Sequence, residues 1–304
     1  MTHIFRYDVA DVEPYINWAY FFHAWGFEAR FAAIADIHGC DACRAMWLAA
    51  FPVADRAKAA EAMQLHKEAL RMLRTLHAEA YSTHAVVNIL PCNADADDIL
   101  LFTERQAASR RLAFLRQQRP SAPDAPCLCM SDFVRPLSSG RRDRIGLFAT
   151  AADADIEGLY ADDPYRHLLA QTLADRLAEA TAEMLHEHVR KSLWGYARDE
   201  RLSVADMHAE RFQGIRPAVG YPSLPDQSLN FVIDDLLHLS QIGITLTATG
   251  AMIPHASVTG LMLSHPAARY FDVGRIGEDQ LADYARRRLM SADELRPFLA
   301  RQMA

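Results

Sequence analysis

The sequence predicts an α+β fold. Three observations carry that reading: apolar strand-like runs that follow one another as hairpins, long stretches with helical apolar spacing, and no repeat or low-complexity linker dividing them. Hydrophobic residues make up 51% of the 304-residue chain and charged residues 23%, the profile of a globular protein with a full core. Residues 1–304 therefore read as a single domain.

Taken in order, residues 10–31 read as an aromatic-rich helix and 54–80 as a long amphipathic one. "HAVVNILPCN" and "DDILLFT" are strands separated by a short acidic turn, hence a hairpin. A helix is expected over 104–118, then a proline-rich surface loop, "RPSAPDAPC", and a strand, "RIGLFATAA". Asp163-Pro164 has the form of an N-cap followed by proline at the first helical position. It opens a helix over about 165–194 that Gly195 is placed to end. Glu179, Glu183 and Glu187 recur every fourth residue along it, and Glu183 and Glu187 read as a solvated stripe. "GITLTATGAMIPHASVTGLMLSH" alternates as two strands around Pro254-His255, "RYFDVGRI" reads as a short strand, and Ser291 to Glu294 form a capping box.

Composition removes several functional classes. A formal charge of −7 argues against a nucleic-acid partner, because phosphate binding needs a basic surface. The run Arg286-Arg287-Arg288 reads as the solvated face of the last helices. The longest early apolar run, "INWAYFFHAWGF", is too short to span a bilayer and carries Asn17 and His23, so no membrane is expected and the location reads as cytoplasmic. Only Lys58, Lys67 and Lys191 are lysines, all in helical stretches that read as exposed, which disfavours a pyridoxal-phosphate enzyme. Cys40 and Cys43 form a lone C-x-x-C without the second half of a zinc site. They read as reduced thiols, with a redox or metal role as the alternative. "DIHGCD" begins like a D-x-H-x-x-G cobalamin loop, but its glycine comes two positions early, so no bound cobalamin is expected. "HEHV" is not H-E-x-x-H, and neither G-x-G-x-x-G nor a P-loop occurs.

One stretch breaks the helical texture: "GIRPAVGYPSLPD", Gly214 to Asp226, has three prolines and two glycines around an arginine and a tyrosine. Such a segment cannot be helix and makes a poor central strand; it reads as a stiff loop that holds Arg216 toward a ligand. With "LADRLAEATAEMLHEHVRKSLWGYA", "AMIPHASVTGLMLSHPAARYF" and "DQLADYARRRLMS", it resembles the activation domain of cobalamin-dependent methionine synthase over about 165–292. Weaker matches, "YINWAYFFHAW", "DDILLF" and "SDFVRPLSSGRRDRIGLFA", extend toward the N-terminus. Residues 140–304 are strongly family-like. Residues 1–100 are divergent, with an apparent insertion of roughly 17 residues that contains the C-x-x-C.

The resemblance implies a C-shaped domain with a twisted antiparallel sheet, long flanking helices and a shallow cleft for S-adenosylmethionine (AdoMet). The family's R-x-x-x-G-Y motif stands as Arg216 to Tyr221. The Arg216 fork suits the ligand carboxylate, Gly220 allows close backbone approach, and Ser223 offers its backbone. The resemblance also puts Tyr270 at the sulfonium end and Glu210 and Glu179 at the cleft.

Three departures stand out. Asn17 replaces an aspartate that pairs with the AdoMet ammonium group, His255 replaces a glycine, and Asp272 a small residue. They favour an AdoMet-consuming enzyme that releases methylthioadenosine by intramolecular attack, giving 1-aminocyclopropane-1-carboxylate without pyridoxal phosphate, with His255, Asp272 or Tyr270 as base. The alternative is a freestanding module that supplies AdoMet for reductive methylation of cobalamin on a separate methionine synthase. A binding module without turnover is the third.

Overall fold

The computed structural model describes residues 1–37, 39–102, 108–120 and 122–303. Strands β1 (Thr2–Asp8), β2 (Ser82–Asp95), β3 (Asp98–Phe102), β4 (Ala108–Ala113) and β5 (Asp143–Ala152) are joined by a later strand in one antiparallel sheet. Two short strands, β6 (Thr245–Leu246) and β7 (Met252–Ile253), form a separate hairpin, and β8 (Ser257–Met262) completes the main sheet. Its order is β4-β3-β2-β5-β8. The long β2 pairs with β1 through its first half and with β3 through its last four residues, so both neighbours share one edge. A strand that changes partner along its length makes the sheet curl.

The helices are α1 (Val9–Val12), α2 (Trp18–Ala24), α3 (Asp41–Ala49), α4 (Arg56–Ala78), α5 (Pro164–His188), α6 (Val204–His208), α7 (Leu229–Leu237), α8 (Glu278–Arg288) and α9 (Ala292–Leu295). Alternating side chains of the central strands divide the core. Ala85, Val87 and Phe148 pack with Ala182 and Leu185 of α5 and with Val189 just beyond it, while Val86, Ile145 and Leu147 share the opposite cluster with Leu229, Ile233 and Leu237 of α7. A third cluster joins α2, residues 29–36 and α4 to the N-terminal half of α5 through Phe21, Phe22, Phe31, Leu73 and Leu173.

The long helices α4 and α5, the hairpin and the capping box at Ser291 form as the sequence predicts. Asp163 caps α5 by accepting from the Arg166 N–H at 3.1 Å, and Gly195 takes φ +73° after a π-helical turn over Val189–Leu193.

Four expectations change. The helix over 10–31 is broken into α1, α2 and two 3₁₀ segments, with Pro14 in the first of these and Gly26 at φ +74° before the second. Of the helix over 104–118, residues 104–107 lie outside the described residues, while Ala108–Ala113 is strand β4; pairing with β3 overrides local propensity there. "RYFDVGRI" joins no ladder, because its amides serve the loop beside it: Phe271 N–H donates to Ser223 Oγ and Val273 N–H to the Pro222 carbonyl, both at 3.0 Å. Finally, only Arg286 of the arginine run is solvated. Arg287 binds Asp98 and Asp283, and Arg288 donates to Ser228 Oγ at 2.8 Å.

Candidate functional site

The proline-rich loop is pinned to the free edge of β8. Ile215 and Leu263 exchange two backbone hydrogen bonds of 2.9 and 3.0 Å, Leu261 N–H donates to Pro217 at 3.0 Å, and Val219 N–H donates to Thr259 at 2.9 Å. The segment 215–219 thus behaves as a short outer strand, which prolines tolerate at an edge. Two glycines make this approach possible. A Cβ on Gly260 would lie 2.2 Å from the Pro217 carbonyl oxygen, and one on Gly214 would lie 2.2 Å from that of Leu263. Gly220 sits in the turn beyond at φ +89°, where its N–H donates to Leu224 at 2.8 Å.

This anchoring points Arg216 into a cavity of about 640 Å³ between the loop, α5, the 15–20 segment and the stretch around Glu210. The Arg216 backbone N–H donates to the Tyr270 hydroxyl at 2.9 Å, and Nη2 reaches Glu183 Oε2 at 2.9 Å. Arg216 Nε and Glu183 Oε1 are buried without partners, so the pair leaves capacity for another polar group. Ser223 closes the loop from behind: its hydroxyl donates to the Phe271 carbonyl and accepts from the Phe271 N–H.

Helix α5 supplies the acidic wall. Glu179 accepts from Arg176 Nη1 at 2.8 Å and faces the Tyr221 hydroxyl at 3.4 Å. Glu187, one turn beyond Glu183, accepts from Tyr15 Oη at 2.7 Å and Lys191 Nζ at 3.0 Å. Glu179 and Glu183 line the cleft, while Glu187 is half-buried in its pairs with Tyr15 and Lys191, so the solvated reading of Glu183 and Glu187 is corrected. Opposite stands Glu210 at φ +56°. Burial pushes the carboxyl groups of Glu179 and Glu210 above the ordinary range, and Glu183 adds to the rise at Glu210. Burial likewise raises the Tyr270 phenol. Asn17 lines the cavity as the N-cap of α2, its Oδ1 accepting from the Ala19 N–H at 3.1 Å.

Arg216, Tyr221, Ser223, Tyr270, Glu179, Glu210 and Asn17 thus meet around one cavity. His255 and Asp272 do not line it. The His255 side chain is 89% exposed and lies 3.3 Å from Asp175, while the exposed Asp272 carboxylate accepts from the Gly274 N–H at 2.8 Å. Gly220 shapes the turn rather than the wall. Among the lining residues that the sequence did not place at the site are Glu183, Arg176 and Phe212. Phe212 is backed by Arg190, whose guanidinium stacks 4.5 Å from the ring and forms a bidentate pair with Glu200. Cys40 caps α3, its Sγ accepting from the Cys43 N–H at 3.2 Å.

Three carboxylates set against two guanidinium groups, with tyrosines at the rim, define a site for a small ligand carrying both signs of charge and a net cationic centre. The family model for the vitamin B12-dependent methionine synthase activation domain matches residues 8–289, and the chain belongs to that family. It is also similar to a crystal structure of the MetH reactivation domain bound to AdoHcy, at 36% identity and a TM-score of 0.86, over 100% of this chain and 90% of that one. No helix among the described residues is long and apolar enough to cross a membrane.

Proposed function

We propose that the cleft binds AdoMet and that the chain acts as a methionine synthase reactivation domain, presenting the sulfonium methyl group to the cobalamin of a methionine synthase. The observation that carries this reading is Arg216 held toward three carboxylates in one cavity, in a chain of this family. Glu183 fixes the guanidinium through Nη2, and Nε remains available to the ligand carboxylate. Glu179 and Glu210 offset the positive charge of the ligand, and Tyr270 and Tyr221 give it aromatic faces. Arg216, Glu179 and Glu210 would hold AdoMet so that its methyl group could pass to a reduced cobalamin supplied by the partner, which would leave S-adenosylhomocysteine in the cleft. Residues 1–304 act in this proposal as one AdoMet-binding domain.

A second reading rests on Asn17. A neutral amide at the cleft, where the resemblance implies an aspartate for the ammonium group, fits a ligand whose amino-acid end reacts. In that reaction a base removes the Cα proton, Cα attacks Cγ, and the Cγ–S bond breaks to release methylthioadenosine. Of the bases first considered only Tyr270 lines the cleft, and its raised pKa keeps it protonated at neutral pH and so unable to accept a proton; Glu210 is a carboxylate that also lines the cleft. The reactivation reading needs no base, so the arrangement favours it.

Incubation with AdoMet alone separates the two. Intact AdoMet bound at one equivalent, with methyl transfer only when a cobalamin-loaded methionine synthase and a reductant are added, is the expected result. Catalytic release of methylthioadenosine without that partner would transfer the assignment to the cyclising enzyme.

A further inference from the structure

A second cavity, of about 940 Å³, shares Asn17 and His208 with the first. Its walls come from residues 10–19, the 3₁₀ segment 29–36, and helices α3, α4 and α6. Ile16, Trp18, Ile34, Met63 and Leu70 give it an apolar portion beside its polar lining.

Three nitrogen-bearing side chains, Arg44, His66 and Lys67, line it. Arg44 projects from α3, with its nearest carboxylate among the described residues, the fully exposed Asp41, 3.7 Å away. Lys67 of α4 has no ion pair among the described residues. His66, which precedes Lys67 on α4 and feels the Arg44 charge, is only 8% exposed, with Trp18 edge-on at 4.5 Å and a buried Nε2 that has no hydrogen-bond partner. Burial, and then the nearby Arg44 charge, lower its pKa to about 4, so the ring is neutral at ordinary pH. A neutral imidazole with an unmatched buried nitrogen is a cost that a ligand can relieve. Of the lining carboxylates, Glu13 is raised above its ordinary range chiefly by burial, with Arg74 and His77 opposing, and Asp36 is exposed; neither forms an ion pair with this cluster among the described residues.

We propose that this cavity is a binding site for a small amphipathic carboxylate. Arg44 and Lys67 hold the carboxylate, His66 donates from Nε2 to one of its oxygens, and the apolar wall covers the hydrocarbon body. The site stands on its own residues and does not depend on what the first cleft binds.

The test uses 2-naphthoate as probe and its neutral isostere 2-naphthamide as control, with methionine methyl groups labelled for NMR. Met63 lines this cavity and Met207 lines the first, so the two methyl resonances report separately. The expected result is a saturable shift of Met63 with Met207 unmoved, at least tenfold weaker binding of the amide, and at least tenfold loss in an Arg44→Ala/Lys67→Ala variant. An unchanged Met207 resonance in that variant shows that it is folded. A shift of Met207 alone, no shift at millimolar probe, or equal binding by the amide or the variant would overturn the proposal.

Discussion

Arg216 and Glu183 face each other across the cleft at 2.9 Å, each largely buried, with one polar atom of each left unpartnered. The pair is a preset fork: the carboxylate fixes the guanidinium plane before any ligand arrives. Arg216→Ala therefore has two separable consequences. AdoMet binding is expected to fall at least a hundredfold, and the apo protein to lose about 3 kcal/mol, because Glu183 is left buried without its partner. Adding Glu183→Gln removes the stranded charge, so the double variant should regain most of the stability and none of the binding. Urea melts and calorimetry on the unmodified protein and the two variants decide this; retained AdoMet affinity in Arg216→Ala would remove the basis of the site assignment.

The carboxyl groups of Glu179 and Glu210 are raised above their ordinary value of 4.5, chiefly by burial. A carboxyl group raised in the folded state holds its proton more tightly there than in the unfolded chain. Its contribution to stability is full below the unfolded pKa and is lost as pH rises through the folded one. A bound cation reverses the penalty, since it favours the ionised form. The AdoMet-induced increase in Tm is therefore expected to grow as pH rises from the ordinary carboxylate range toward neutrality, with Glu210→Gln flattening the dependence. A pH-independent increase in the unmodified protein would count against a cationic ligand beside these groups.

Asn17 carries the clearest sequence departure and also caps α2 through its Oδ1. Aspartate caps a helix as well as asparagine does, so Asn17→Asp keeps the local structure while adding a charge at the cleft. AdoMet affinity is expected to rise about tenfold, near 1.4 kcal/mol. Calorimetry at low and moderate salt reads the gain. An unchanged affinity would mean that the ligand ammonium group lies elsewhere.

The fold class, the hairpin and the long helices were legible because each rests on a local period or a cap. What escaped depends on contacts distant in sequence. Glu183 lies one helical turn from Glu179, so the spacing put both on one face. That this face looks into a cleft is decided by the loop at 214–223 and the segment at 15–20. Ala108–Ala113 has no strong strand signature and becomes a strand because β3 offers an edge. Arg287 sits in a run that looks solvated, yet it folds inward to meet the buried Asp98, which is nearly 190 positions earlier. His255 and Asp272 were conspicuous as unusual residues near the motif, but conspicuousness in sequence carries no direction. Both side chains point away from the cleft residues.

Gly260 tests the backbone half of the site. A Cβ there would meet the Pro217 carbonyl oxygen at 2.2 Å, the Phe148 ring at 2.8 Å and the Ala218 Cα at 3.0 Å, none of which is a flexible side-chain end. Relief requires the loop to move off β8, weakening the Leu261-to-Pro217 hydrogen bond and displacing Arg216, the residue before that proline. Gly260→Ala is therefore expected to cost about 1–3 kcal/mol of stability and to weaken AdoMet binding at least tenfold, although no side chain that lines the cavity has been changed. Gly158→Ala is the control, since its Cβ meets nothing within 4 Å; it should shift stability by no more than about 0.5 kcal/mol. If Gly260→Ala melts and binds like the unmodified protein, the loop is not held by this contact, and the positioning of Arg216 must come from Tyr270 and Glu183 alone.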